Sequence, residues 1–406
     1  MAQSLRILCV SLTDDVGTDR LVSDLAQNGA VCAVLAPPGA IAAQNLGIDR
    51  HFTMPRRGGA LVAPFLLPKR LSAAVACWRP DRVVPLDDLA ATLLRNMALK
   101  PTSRAVGDLL RRSFGDPAGY EAACGRVALM RVAQDCGVRL PTFWDDRNAG
   151  AAVLPVMVKR DQSSGSGGVI RADTRGQLAS AIRTAQLKGM AKRMVARLAG
   201  LARPRTPMLL QSMVEGRLAM YTAVTRDGAV IDGVGFEAVR HHPTKGSSTI
   251  LRHQPSAEMA EAAQRLVAAL KCSGFVSFDF ILDRQGRAFL IEMNPRPIGS
   301  AHLGRRFGHD LTHAYLTGTR LSEAAATSDD AIALFPKELE RDPTGVGLED
   351  PGVFHDLPRH EPAVLAAYLA WLQAEHPQQA GALARCCGVA AAEQPTATPI
   401  LVAEPC

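Results

Sequence analysis

The sequence predicts an α/β protein that opens with a parallel-sheet domain and continues into a larger α+β region. Three observations predict it. Residues 5 to about 100 alternate short apolar runs with amphipathic stretches, the pattern of βαβ units. Val153 to Lys159 is a strand-like run that ends on a lysine and opens into the loop RDQSSGSGG. The segment FDFILDRQGRAFLIEMNPR, Phe278 to Arg296, places two apolar, β-branched or aromatic runs around the turn-like tetrad Asp283-Arg284-Gln285-Gly286, so it reads as an antiparallel hairpin.

In chain order, Leu5 to Leu12 and Ala30 to Leu35 read as strands around a helix from about Thr18 to Gln27, and Arg82 to Pro85 as a strand before the helix Leu89 to Leu99. No G-x-G-x-x-G or Walker A sequence occurs, so a dinucleotide or P-loop site is unsupported. Residues 101 to about 125 carry Pro, Gly and Arg and read as a connection. A helix from about Val127 to Asp135 stops at Gly137 and Pro141, and another begins near Gly176. Lys188, Lys192, Arg193, Arg197, Arg203 and Arg205 then read as a solvated basic segment. Met208 to Gln211 is a buried-type strand, and Leu218 to Thr225 with Ala229 to Phe236 resembles a sheet meander. Ser256 caps a helix with Met259, Ala263, Leu266, Val267 and Leu270 at helical spacing, stopped by Gly274. Past Leu321 the chain turns acidic and Pro-rich, with one helix near Ala363 to Ala374 and an Ala/Pro/Cys tail expected to be disordered.

A chain of 406 residues suggests two or three domains, and 47% apolar with 21% charged residues fits a soluble globular protein. No apolar run approaches the roughly 18 residues of a membrane span, and the N-terminus lacks a secretory cleavage pattern, so a cytoplasmic protein is expected. The nine cysteines are scattered and never spaced C-x-x-C, which reads as reduced thiols. A net charge of +7 suits an anionic ligand such as a nucleotide. Aromatics at 5%, not interleaved with the basic residues, argue against nucleic acid.

The hairpin carries the chemistry. If Asp283 lies opposite Gly286, Asp279 lies opposite Leu290 and shares a face with Glu292 and Asn294, because side chains alternate with period two. Mg²⁺ favours hard oxygen donors and takes one or two carboxylates plus substrate phosphates, which suits this set. Arg296 adds a fixed fork of donors for a phosphate or carboxylate.

With the hairpin, the Gly-rich loop after Lys159 and the strand LLQSMVEG in this order, residues 5 to about 320 resemble the ATP-grasp superfamily of ATP-dependent ligases. The resemblance implies a pre-ATP-grasp domain (1–105), a linker and helix (106–145), a lid (146–214), a central catalytic subdomain (215–325) and here a C-terminal extension (326–406). It implies ATP and Mg²⁺ as cofactors, with Mn²⁺ able to substitute, and an acyl phosphate formed on a carboxylate and displaced by an amine. Asp279, Glu292 and Asn294 match the metal ligands, and Arg296 matches the arginine that meets phosphate or the acyl intermediate. Lys159 matches the lysine on the α and β phosphates, and Gly165, Ser166, Gly167 and Gly168 match the mobile loop whose N–H groups cover phosphates. Gln211, Ser212, Met213 and Val214 match the adenine-reading strand, the Ser212 carbonyl and Val214 N–H facing the base edge.

Three positions depart from the family pattern. Arg126 replaces a nucleotide-contacting lysine, Leu218 a ribose-binding glutamate (leaving Glu215 or backbone for that role), and Ser277 a phosphate-binding arginine. Lys245, in a polar loop with His241 and His242, is a candidate charge stabiliser, and His302, after the Pro297-Ile298-Gly299 turn, a candidate base. The expected partners are a small-molecule carboxylate and an amine, with no membrane or nucleic acid, and a homodimer is allowed. A catalytically silent ATP-binding regulator and an ATP-grasp carboxylase or carboxylate-thiol ligase are the alternatives.

Overall fold

The computed structural model describes residues 4–13, 17–45, 47–55, 59–160, 169–198, 207–243, 246–321, 331–350 and 352–389. The first layer is a four-stranded parallel sheet of β1 (Arg6–Val10), β2 (Val31–Ala36), β3 (Ile48–Thr53) and β4 (Arg82–Pro85), in the order β3-β2-β1-β4. α1 (Arg20–Gln27), α2 (Gly59–Trp78) and α3 (Asp88–Leu99) connect and cover it. β1, β2 and β4 lie within a few residues of the expected runs, since each is a nearly unbroken apolar segment of the kind a sheet covered on both faces requires. β3 and α2 had no clear signal: β3 reads IDRHFT, and α2 contains Pro64 and Pro68.

Residues 101–125 are not a connection. They form α4 (Arg104–Phe114), capped by Ser103, and α5 (Tyr120–Cys124), leading into α6 (Arg126–Asp135). α4 buries Val106, Leu109, Leu110 and Phe114 on one stripe, a helical period that the surrounding Pro and Gly residues obscure.

A small antiparallel sheet follows, β5 (Phe143–Asp145), β6 (Val156–Arg160), β7 (Val169–Ala172) and β8 (Met208–Ser212), ordered β5-β8-β6-β7, with α7 (Arg175–Leu198) packed on it through Leu178 and Ala181. The basic stretch begins inside α7; the side chains of Lys188, Lys192, Arg193 and Arg197, and residues Arg203 and Arg205, lie outside the described set.

The third unit is a seven-stranded sheet, ordered β13-β12-β9-β10-β11-β14-β15. β9 (Arg217–Arg226) and β10 (Ala229–His241) join through Asp227 and Gly228, both at positive φ (50° and 84°), as a tight hairpin turn demands. β11 (Ser248–His253) begins with Ser248 and Thr249, which the sequence places at the end of the polar stretch around Lys245. α8 (Ala257–Leu270) is capped by the Ser256 hydroxyl on the Met259 N–H, as expected, and covers one sheet face through Met259, Ala263, Leu266 and Val267. β12 (Gly274–Leu282) and β13 (Ala288–Asn294) form the hairpin, and α9 (Leu311–Thr317) packs on the opposite face with Phe275, Val224 and Val234, beside the parallel sheet.

The C-terminal extension is integral. β14 (Ala331–Ala333) pairs with β11 and β15 (Phe354–His355) with β14, so the extension completes the central sheet. Between them, α10 (Lys337–Arg341) presents Glu338, fully buried, to Arg240 and Arg341. α11 (Pro362–Glu375) and α12 (Pro377–Cys387) build a separate core on Tyr368, Leu372 and Leu383 that reaches Ile41, so two helices stand where one was expected. Residues 390–406 are outside the described set. Cys9, Cys32, Cys124, Cys136, Cys272, Cys386 and Cys387 are free thiols, as expected.

Candidate active site

The hairpin register differs from the expected one in a way that preserves the site. Asp283 accepts the closing Gly286 N–H at its carbonyl, but its own N–H pairs with the Arg287 carbonyl, so the turn is one residue longer than the predicted pairing. A β-bulge between Asp279 and Phe280 then adds a second residue on β13. A single slip would turn the carboxylates to opposite faces, and two slips restore parity. Asp279 therefore stands opposite Glu292 rather than Leu290, and Ser277 opposite Asn294. Leu290 belongs to the other face, buried among the α8 contacts.

Asn294 Nδ2 lies 3.4 Å from Asp279 Oδ2. Burial, and then the neighbouring Glu292 carboxylate, push the Asp279 carboxyl up to about 7. Glu292 is held by Arg126, the first residue of α6, whose other arm reaches the Arg160 carbonyl at the end of β6. Lys159 is buried and donates to the Ile291 carbonyl, at the bulge, at 3.3 Å. Burial lowers its ammonium to about 8, a shift that Glu292 opposes and Arg126 reinforces. Asp279, Glu292, Asn294, Lys159 and Arg126 thus converge from three elements, β12–β13, β6 and α6.

Among the described residues no three His, Cys, Asp or Glu cluster as a metal cage. Two carboxylates and an amide are what this site offers, and that donor set fits Mg²⁺, which completes its shell with water and phosphate oxygens. Two hydroxyls on the same face, Thr222 Oγ1 and Ser277 Oγ, are buried without a partner among the described residues, so the floor beneath Asn294 has unused polar capacity.

The other expected residues fall differently. Gln211 is 2% exposed and turns its amide to the Met130 sulfur at 3.2 Å, so it packs into the α6 core rather than facing a ligand. The Ser212 N–H is taken by the Thr142 carbonyl, and Val214 is part-buried just past the strand end. Glu215 forms an exposed pair with Arg284. Arg296 grips Asp88 of α3 with two bonds, Nε to Oδ1 at 2.5 Å and a terminal nitrogen to Oδ2 at 3.1 Å. His302 is not poised as a base. It is buried with Nε2 at 3.1 Å from both Asp356 oxygens, a carboxylate the extension supplies. Gly165, Ser166, Gly167, Gly168 and Lys245 lie outside the described residues. Asp88 and Asp356 were missed, and no local motif marks either; both acquire meaning only through partners more than 50 residues away.

Residues 126–300 match the family model described as the ATP-grasp domain. This segment is an ATP-grasp domain. The match runs from Arg126 to Ser300 and so encloses the whole convergent cluster. No curated protein matches the sequence. Solved structures share the fold at low identity. An L-amino acid ligase from Bacillus licheniformis aligns over 78% of this chain and 74% of its own, at 14% identity and a TM-score of 0.54. A biotin carboxylase from Campylobacter jejuni, in complex with β,γ-ATP, aligns over 79% and 73%, at 15% and 0.59. N5-carboxyaminoimidazole ribonucleotide synthetase from Thermus thermophilus aligns over 79% and 80%, at 16% and 0.56. The likeness extends beyond the ATP-grasp segment into the flanking units, which supports the expected α/β architecture. No helix among the described residues is long and apolar enough to cross a membrane.

Proposed function

We propose that the protein is an ATP-grasp ligase that joins a small-molecule carboxylate to an amine through an acyl phosphate, releasing ADP and phosphate. The observation that carries it is the opposition of Asp279 and Glu292 across β12 and β13, with Asn294 beside them and Lys159 and Arg126 closing the cluster. ATP lies between the small sheet and the central sheet, its phosphates toward this cluster. Asp279, Glu292 and Asn294 would hold Mg²⁺, which when bound would supply charge neutralisation at the terminal phosphates. The work of the side chains is positioning and electrostatics. Phosphate charge would raise the Lys159 ammonium back from about 8, to which burial lowers it. Arg126 trades Glu292 for nucleotide, and Arg296 faces the carboxylate that receives the phosphoryl group.

Two of the similar structures are carboxylating enzymes by name, and the higher of the TM-scores belongs to one, so a carboxylase is the second reading. One experiment separates the readings. Candidate acids with ATP, Mg²⁺ and hydroxylamine should yield a hydroxamate and stoichiometric ADP. Organic-acid-independent ADP release driven by bicarbonate favours the carboxylase. AMP as the stoichiometric product refutes the acyl-phosphate mechanism, and no product from any acid leaves a nucleotide-binding regulator.

A further inference from the structure

The C-terminal extension brings a cation toward the metal-type cluster that no motif marks. Met220 stands beside Asp279 in the pairing of β9 with β12, and cross-strand neighbours point to the same face. Met220 shares one core with Phe236, Ala238, Leu251, Ile332 and Leu334, so the face that carries Asp279 runs across β10 and β11 to β14. Lys337 comes three residues after Leu334.

Its backbone is fixed on both sides. The Leu334 N–H donates to the Thr249 carbonyl of β11 at 2.8 Å, and the Glu338 N–H donates to the Leu334 carbonyl at 2.8 Å. The Glu338 side chain, with no exposed surface, holds Arg240 of β10 at 3.1 Å. Between these anchors, a Cβ on Gly17 would lie 3.6 Å from the Phe335 carbonyl oxygen and 3.9 Å from Pro336 Cδ. A Cβ on Gly299 would in turn lie 3.2 Å from the Gly17 carbonyl oxygen. The extension, the loop before α1 and the turn that follows Asn294 therefore meet, and Lys337 stands part-buried next to that junction. Its charge reaches the cluster: burial and Glu292 raise the Asp279 pKa, while Lys159, the Asn294 amide and Lys337 lower it.

The cluster thus has cations on two flanks. Lys159 and Arg126 approach at the β13 edge of the central sheet, the first on the Ile291 carbonyl and the second on Glu292. Lys337 approaches from the side of β11 and β14. We propose that Lys337 is a catalytic residue supplied by the extension, its ammonium binding the phosphoryl group as that group passes from ATP to the receiving carboxylate. The assignment rests on the ligase reading. In that step the bond from the γ phosphorus to the bridging oxygen breaks, its electron pair leaves with ADP, a carboxylate oxygen forms the new bond to phosphorus, and no proton moves. The peripheral oxygens of the phosphoryl group stay anionic throughout, and a cation across from Lys159 and Arg126 stabilises them after the group has left the nucleotide.

The test is calorimetric titration of the full chain with MgADP and with the magnesium complex of the β,γ-imido analogue of ATP, which keeps the terminal phosphoryl group in place. Lys337→Met should weaken the ATP analogue at least tenfold and leave MgADP within about twofold, and Lys337→Arg, which keeps the charge, should recover most of the loss. Retained MgADP binding shows that the variant is folded; should Lys337→Met not fold, Lys337→Gln is read by the same pair of titrations. With any acid that yields a hydroxamate, turnover of Lys337→Met should fall at least about 100-fold, the scale of removing one charge stabiliser from a preorganised site. The proposal is overturned if the two nucleotides weaken together, if neither weakens, or if Lys337→Arg is no better than Lys337→Met. Those outcomes, in a parent protein that binds both nucleotides and forms hydroxamate, leave the ligase reading standing; a parent that binds neither nucleotide sinks that reading and the role of Lys337 with it.

Discussion

Two buried charge clusters in this protein use the same residue types to opposite ends. At the hairpin, Asp279 and Glu292 face each other, and the Asp279 carboxyl is pushed up to about 7 by burial and by its neighbour while Lys159 is lowered to about 8. Where the extension meets α1, Arg20 pairs with both Asp356 and Glu361, His302 with Asp356, Ser23 with Glu361, and the Tyr368 hydroxyl with Asp19. Here the dominant effects on Arg20 are burial, which lowers its pKa, and the two carboxylates, which outweigh burial and raise it. The second cluster ties Asp356 and Glu361 of the extension to Arg20 and His302 and so joins three segments distant in sequence; in the first, burial and the facing Glu292 disfavour the charge of Asp279, a cost that a cation would offset.

An Asp→Asn substitution in each cluster tells the two apart. Asp279→Asn should lower turnover at least about 100-fold, since it removes a charge from a site whose chemistry is electrostatic. The nucleotide-free protein should not lose stability at pH 8. An acid whose folded pKa is raised contributes stability below its unfolded value near 3.8, and loses it as pH climbs through about 7, so ionised Asp279 is a liability at pH 8 that Asn removes. ADP release and thermal melts on one preparation check both halves, and a destabilised but active variant would reverse the assignment.

Asp356→Asn should do the opposite. It leaves Arg20 and His302 short of a carboxylate in a buried site, a change that costs about 3 kcal/mol in comparable buried pairs. Turnover per folded molecule, measured by initial rates well below the melting temperature, should remain within about threefold. Loss of activity without loss of stability would return His302 to the catalytic role that the sequence suggested.

The smallest expected effect is a pH dependence. Burial lowers the His302 pKa, but Asp356 outweighs it, and the net shift is upward from 6.5. A histidine with a raised folded pKa contributes stability in full below its unfolded pKa and loses it as pH rises through the folded value. Melting temperature should therefore decline as pH is taken upward from about 6.5, and the decline should flatten in Asp356→Asn, where burial is opposed only by the weaker effect of Asp24. An identical slope in both proteins would remove His302 from the network.

Much of the fold was legible because its signals are local. Unbroken apolar runs at β1, β2 and β4, the Ser256 cap and the two strands of the meander at β9 and β10 are each decided within a few residues. α4 and β11 escaped because their buried positions are interleaved with Arg, Gly, Ser and His, and only packing against the rest of the molecule reveals which face is inside.

The sequence by itself determined the chemistry available: two carboxylates and an amide at alternating positions, a lysine at a strand end and an arginine two residues past the hairpin. Tertiary structure alone decided how they are used. Register in a hairpin depends on turn length and bulges as well as on alternation, so two compensating slips could move Asp279 from Leu290 to Glu292 without changing its face. The partner of a charged side chain depends on which surfaces meet. The chain alone could not tell that His302 would be locked by Asp356, Gln211 turned into the core, or Arg296 clasped by Asp88, because each of those contacts spans from 54 to 208 residues of sequence.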